Sequence, residues 1–214
     1  MNQRTAVDHL DVAPSDVRLA GAEVELVPAI ARETKLRNAL RAVREMYDVL
    51  MIDCPPSLGL LTINALTAAD GCLIPMQCEY YALEGLSSLL TTIDLIRRHL
   101  NSGLEIAGVL LTMVDSRTKL SDQVAGEVRS HFGAQVYNSV IPRSIRLAEA
   151  PSYGQPINQY APGSRGAEAY WALAKEVAAR IGLAPGPLES GNVQVSDAVA
   201  AAASTEQGGD EHHD

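Results

Sequence analysis

Apolar residues recur along this chain in two rhythms: short, nearly unbroken runs, and longer stretches in which they return every three or four positions. The first rhythm marks strands covered on both faces, and the second marks helices that bury one side. Val49–Ile52, Gly71–Met76 and Ile106–Leu111 are runs of the first kind, Val136–Ile141 reads as another strand, and Leu10–Ala13 is a shorter candidate. Ser15 or Asp16 is placed to cap a helix through Leu26, with Leu19, Ala22, Val24 and Leu26 as its apolar positions. A second helix is expected over Thr34–Met46, with Leu36, Leu40 and Val43 on one face, and a third over Leu58–Ala69 behind a Ser57 cap. The longest runs from Ala82 to Leu100 on Leu83, Leu86, Leu89, Leu90, Ile93 and Ile96, and Asn101-Ser-Gly103 stops it. Helices over Ser121–Phe132 and from Ala167 to about Ile181 complete the series. Strands separated by helices throughout predict an α/β fold with a doubly wound, mostly parallel sheet.

The pattern fades after Gly182, where Pro, Gly, Ser, Gln and an alanine run replace large apolar side chains. Residues 1–181 are therefore expected to form one folded domain and residues 182–214 a disordered acidic tail, which has too little to bury to offset ordering entropy. The formal charge of −9 is mostly a tail property. Six acids and no Lys or Arg fall in residues 182–214, leaving −3 for the remainder, so the acidity does not exclude a nucleic-acid surface on the body. With 47% hydrophobic but 4% aromatic residues, the core is predicted to be aliphatic. Cys54, Cys72 and Cys78 form no Cys-x-x-Cys pair and lie in or beside apolar runs, as in a reduced cytosolic protein. No segment reaches the roughly 18 apolar residues of a membrane span, and no signal-peptide run follows Met1.

Candidate chemistry begins with Asp53, placed by the Val49–Ile52 run at the carboxyl end of a buried strand, the edge where doubly wound sheets take ligands. A carboxylate there can hold magnesium beside nucleotide phosphates, or it can cap the following turn, and the pattern alone leaves both open. Pro55-Pro56 stiffens that turn and Gly59 lets backbone approach closely, which suits a phosphate-sensing switch or any tight strand-to-helix connection. No Gly-Lys dipeptide occurs in the 214 residues, so a Gly-Lys-Ser/Thr phosphate loop is not among them. Arg117 in Asp115-Ser-Arg-Thr-Lys119 and Arg146 in Arg143-Ser-Ile-Arg146 are forked donors beside predicted helix starts, open to phosphate or simply solvated. Lys119, Arg129 and Arg165 are lesser candidates.

The string Ile52-Asp-Cys-Pro-Pro-Ser-Leu-Gly-Leu-Leu-Thr-Ile-Asn-Ala-Leu66 resembles the Walker B and switch II region of ParA-type (Soj-like) chromosome-partitioning ATPases, which are P-loop proteins of the MinD/ParA superfamily. Further strings agree in family order: Leu19-Ala-Gly-Ala-Glu-Val-Glu-Leu-Val27, Gln77-Cys-Glu-Tyr-Tyr-Ala-Leu-Glu-Gly85, Leu111-Thr-Met-Val-Asp-Ser-Arg117, Ile141-Pro-Arg143, Glu149-Ala-Pro-Ser-Tyr-Gly154 and Ser164-Arg-Gly-Ala-Glu168. Together they cover about residues 8–181.

The resemblance implies a fold of the P-loop NTPase type, and an N-terminally shortened chain that lacks the phosphate-loop strand beside the Asp53 strand. It implies ATP and Mg2+ as cofactors, with Asp53 as the metal-side carboxylate, Pro55 and Pro56 in the switch, and Thr112, Met113, Pro142 and Arg143 bordering the adenine. Glu79-Tyr-Tyr81 is expected to line the cleft or a dimer face. Arg117 and Arg146 match positions of a basic surface for sequence-independent DNA binding. The implied partners are a ParB-type protein, non-specific DNA, and a second copy or a full-length ParA, in a cytoplasmic, nucleoid-associated setting. A MinD-like membrane role needs a basic amphipathic C-terminal helix, and this C-terminus is acidic and Gly/Ala-rich. In these residues alone, hydrolysis is not expected, because one magnesium carboxylate cannot replace the lysine and the row of backbone N–H groups that neutralise the phosphates.

Overall fold

The computed structural model describes residues 3–5, 7–55, 57–79 and 82–183. The acidic tail beyond residue 183 lies outside them, as do Pro56, Tyr80 and Tyr81.

The centre of the molecule is a parallel pair, β3 (Gly71–Gln77) and β4 (Glu105–Thr112), paired from Gly71 opposite Glu105 to Gln77 opposite Thr112 with a one-residue register shift between Cys72 and Leu73 that leaves Ala107 as the extra residue. Side chains of β4 alternate across the sheet. Val109 and Leu111 join Ile74 and Met76 of β3 beneath α4 (Ala82–His99) and α5 (Lys119–Phe132), whereas Leu110 joins Tyr137 and Ile141 beneath α8 (Arg165–Arg180). Coverage on both faces explains why these strands read as apolar runs, and it makes the sheet doubly wound. The α4 stripe predicted from its spacing is buried at Leu86, Ile93 and Ile96, with Ile93 fully excluded from water. Each such aliphatic side chain contributes about 1.5–3 kcal/mol through burial.

Crossovers bring the helices onto the sheet. α3 (Leu60–Ala68) precedes β3 and is fixed by two asparagine side chains, one from its own middle and one at its C-terminal end. Buried Asn64 donates to the carbonyls of Arg32 (2.8 Å) and Leu60 (2.9 Å) and accepts from Leu36 N–H (3.1 Å), tying α3 to the turn before α2 (Lys35–Leu40). Asn101, in the predicted stop of α4, donates to the carbonyls of Leu66 and Ala69 that α3 leaves unpaired at its end.

Several expectations change. Val136–Ile141 is not a continuous strand: it touches β4 through single bridges, Val109 with Val136 and, just beyond, Val114 with Pro142. Its middle is taken by α8 instead, because Glu176 accepts hydrogen bonds from Asn138 N–H (2.8 Å) and Ser139 N–H (2.9 Å). Arg180 donates to the carbonyls of Gln135 and Val136, both at 3.0 Å, and lies 3.9 Å from the centre of the Tyr137 ring. A Cβ at Gly108 would overlap that ring and come within 2.8 Å of Arg180 Nη1, so only glycine admits this approach.

The Thr34–Met46 helix is broken into α2 and flanking 3-10 turns at Arg32–Thr34 and Arg44–Met46. Ser57 does not cap α3, whose first residue follows Gly59; the Ser57 carbonyl accepts the Thr62 hydroxyl at 2.6 Å instead. Leu10–Ala13 contributes β2 (Asp11–Val12), which pairs antiparallel with β1 (Gln3–Arg4) rather than joining the central sheet.

The largest departure is at Val49–Ile52, which forms no strand. Residues 48–58 make no backbone–backbone hydrogen bond among the described residues, and Met51 is 83% exposed. An apolar strand meant to be covered on both faces needs a ladder to hold it, and none is supplied here. On α1 (Arg18–Leu26), Val24 is likewise 74% exposed and Leu19 is exposed, so the face predicted to be apolar is only partly covered, at Ala22 and Leu26.

Burial alone would raise the Glu176 carboxyl, but the Ser139 and Asn138 N–H groups, with Arg180, outweigh it and bring it from the ordinary 4.5 to about 2. A folded value below the unfolded one stabilises the protein above about pH 4.5, and that contribution is lost as pH falls toward 2. Glu176→Ala is expected to lower unfolding stability in urea at pH 7 by about 1–2 kcal/mol, since it also removes the acceptor of the Asn138 and partly buried Ser139 N–H groups. Glu176→Gln is expected to flatten the acid limb of stability between pH 4.5 and 2.

Candidate functional site

Parallel strands end together, and the carboxyl ends of β3 and β4 define the functional edge. Past β3, Cys78 N–H still donates to the Thr112 carbonyl at 3.2 Å, which keeps Glu79 beside the end of β4. Past β4, Met113 turns the chain in the left-handed region at φ 54°, a conformation that costs a side-chain-bearing residue about 1–2 kcal/mol. Val114 then exchanges hydrogen bonds with the next segment: its N–H donates to Ile141 (3.1 Å) and its carbonyl accepts from Arg143 N–H (3.0 Å). Thr112, Met113, Pro142 and Arg143, far apart in sequence, thus share one edge. The Arg143 guanidinium crosses that edge to Glu79, Nη2 to Oε1 at 2.9 Å.

Arg117 sits in the turn leading to α5. Asp115 accepts its backbone N–H (3.1 Å), its Nε (2.9 Å) and its Nη2 (2.8 Å). That guanidinium, followed by Arg117 N–H and then the Arg143 charge among smaller contributions, holds the Asp115 carboxyl well below the usual carboxylate range. Thr118 caps α5 by accepting Ser121 N–H, and Ser121 Oγ accepts Asp115 N–H, so the turn and the helix start form one unit. Arg146 lies in the short helix α6 (Ile145–Glu149) and reaches Glu149 Oε2 at 3.3 Å. The same oxygen accepts the Tyr160 hydroxyl at 3.0 Å, and Tyr160 stacks on Tyr153 with ring centres 5.0 Å apart. Lys119, Arg129 and Arg165 are exposed and form no ion pair among the described residues.

Asp53 is exposed and hydrogen-bonds to nothing among the described residues. Its negative charge is felt by Cys54, whose thiol is pushed up by partial burial first and by this charge second. An unengaged carboxylate has the chemistry of one oxygen ligand to a hard cation such as Mg2+, the others coming from phosphates and water. No group of three His, Cys, Asp or Glu side chains among the described residues forms a metal cage. The described residues fit the carboxylate side of a magnesium–nucleotide site, and the phosphate-holding groups are not among them.

Sequence reasoning had the arginines but not their partners. Glu149 stands three residues after Arg146 on one helix, a spacing from which that pair could have been read, and Asp115 two residues before Arg117 has the position of an Asx turn, whose carboxylate accepts the N–H two residues on. Glu79 and Arg143 are 64 residues apart, and only the fold pairs them. Away from this edge, α6, α7 (Ile157–Tyr160) and α8 line an open apolar pocket of about 450 Å³ with Leu147, Pro151, Tyr170 and Trp171 on its walls.

A parallel sheet covered on both faces, with polar residues gathered at the carboxyl edge, defines a doubly wound α/β protein whose ligand edge is that end of the strands. Comparison with known proteins narrows this. The family described as "AAA domain" matches residues 1–106. The sporulation initiation inhibitor protein Soj of Bacillus subtilis is 63% identical over 175 residues, covering 82% of this chain and 69% of its own length. The chromosome partitioning protein ParA of Myxococcus xanthus is 54% identical, covering 82% of this chain and 62% of its own. The crystal structure of cobyrinic acid a,c-diamide synthase from Mycobacterium smegmatis with bound ADP and magnesium superposes with a TM-score of 0.65 at 34% identity, covering 83% of this chain and 67% of that one. The chain belongs to the Soj/ParA family of chromosome-partitioning ATPases and spans about two thirds of the length of these relatives. No helix among the described residues is long and apolar enough to cross a membrane.

Because Thr118 caps the helix that follows Arg117, Thr118→Ala is expected to cost about 1 kcal/mol, read as a lower urea midpoint. Thr118→Ser is expected to restore most of it.

Proposed function

We propose that this chain serves chromosome or plasmid partitioning as part of an ATP- and Mg2+-dependent dimerising protein that binds DNA without sequence preference and whose hydrolysis is stimulated by a ParB-type partner. The 63% identity to Soj over 175 residues carries the reading. The bound ADP and magnesium of the synthase support the choice of cofactors. In this reading Asp53 is the magnesium-side carboxylate and Pro55 to Gly59 the switch. Thr112, Met113, Pro142 and Arg143 face the base, and their convergence on one sheet edge supports that assignment. Arg117 and Arg146 contact DNA phosphate, and the setting is cytoplasmic and nucleoid-associated.

ATP with magnesium, when bound, supplies the phosphoanhydride and the charge that neutralises it. These residues contribute one carboxylate, a base-side edge and the connection from Asp53 to α3. A second reading is favoured by one observation, the lack of any Gly-Lys pair in the 214 residues: a non-enzymatic protein that binds DNA or a partition partner, including a full-length ParA, without turnover.

Two measurements test these readings on the 214-residue chain. Magnesium-dependent ATP turnover is expected to be at background, and robust turnover would overturn the assignment of the phosphate-holding groups to residues outside this sequence. DNA affinity, measured by fluorescence anisotropy on two duplexes of unrelated sequence, is expected to be equal for both and to fall steeply with salt. Arg117→Ala and Arg146→Ala are each expected to reduce the log–log salt slope by about one. A sequence preference, or no binding at low salt, would remove the DNA role.

A further inference from the structure

Each of the three arginines at or beside the carboxyl edge is already bonded to a carboxylate of its own chain. Arg143 holds Glu79, Arg117 holds Asp115, and Arg146 holds Glu149. The three positive and three negative charges cancel, so these arginines do not present free positive charge. Phosphate oxygens and carboxylate oxygens compete for the same guanidinium donors. Each guanidinium keeps donors that its carboxylate does not use, but an incoming DNA phosphate meets a charge already offset by an internal anion and competes with it for the engaged donors.

We propose that Asp115 and Glu149 are built-in competitors for DNA phosphate, latching Arg117 and Arg146 and thereby setting the affinity and salt dependence of DNA binding. The inference rests on the proposed role of these two arginines. The two latches differ in persistence. The Asp115 side chain is only 20% exposed and engages both the guanidinium and the backbone N–H of Arg117, whereas Glu149 holds Arg146 by one longer contact and divides its oxygen with Tyr160. Both arginines remain open to solvent, at 84% and 62% exposure of their side chains, so phosphate can reach them without unfolding anything. Exposed ion pairs are weak, which makes the latch breakable by a polyanion.

Amide substitutions test this with the shape kept. In Asp115→Asn, Oδ1 still accepts Arg117 N–H and the turn is preserved, while the competing charge is gone; in Glu149→Gln an oxygen remains for Tyr160. Glu127→Gln, on the exposed face of α5 and in no ion pair among the described residues, is the control for a bare change of net charge. Circular dichroism and the urea midpoint establish that each variant is folded. On a duplex oligonucleotide, Asp115→Asn and Glu149→Gln are each expected to tighten binding by about twofold to fivefold relative to the unaltered chain, with Glu127→Gln unchanged. Adding Arg117→Ala to Asp115→Asn is expected to abolish that gain. Equal tightening by all three amides would reduce the effect to net charge and overturn the latch. If the arginine variants weaken binding but the amides leave it unaltered, the latch is wrong and the DNA role stands. No binding by any of these proteins at low salt overturns both.

Discussion

The structure depends on the parallel ladder between β3 and β4. Parallel strands cannot be joined by a tight turn, so the chain must leave the sheet and return through a helix. α4 is that crossover, and it buries Ile93 and Ile96 against Ile74, Val109 and Leu111. The same constraint brings both strand ends to one side of the sheet. Glu79, Thr112 and Met113 meet there because the two strands run the same way, and Arg143 arrives through the bonds of Val114. A fold that solves a connection problem thus gathers the polar residues of the site.

The central part of this architecture was legible in the amino-acid sequence. Gly71–Gln77, Ala82–His99, Glu105–Thr112, Lys119–Phe132 and Arg165–Arg180 emerged close to their predicted bounds, because each carries a long run or stripe that only one kind of element can bury. Expectations failed where a segment's conformation is decided by a neighbour rather than by its own pattern. Val49–Ile52 has the composition of a strand, yet a strand exists only with a ladder, and residues 48–58 have none among the described residues. Val136–Ile141 has a neighbour in β4, but Glu176 diverts two of its amides. Nothing in the composition of that segment announces a carboxylate on a helix almost forty residues later.

The site was legible in the same uneven way. Motif strings located the arginines and Asp53, since their types and order carry information without geometry. The carboxylates opposite the arginines change what those residues mean. Arg117 read alone is a free cation, whereas Arg117 with Asp115 in three hydrogen bonds is half of a neutral unit. Electrostatic character at this edge belongs to pairs rather than to single side chains.

The Glu176 carboxylate has one more consequence. A row of unpaired strand amides is a template on which another chain can build, and aggregation often starts at such rows. By occupying the N–H groups of Asn138 and Ser139, and by fixing Arg180 across the neighbouring carbonyls, α8 blunts this side of the sheet as a growth face. The segment before Asp53 has no comparable guard among the described residues. At the Asn138–Ser139 side, a chain adding to the sheet would find those two amides already engaged.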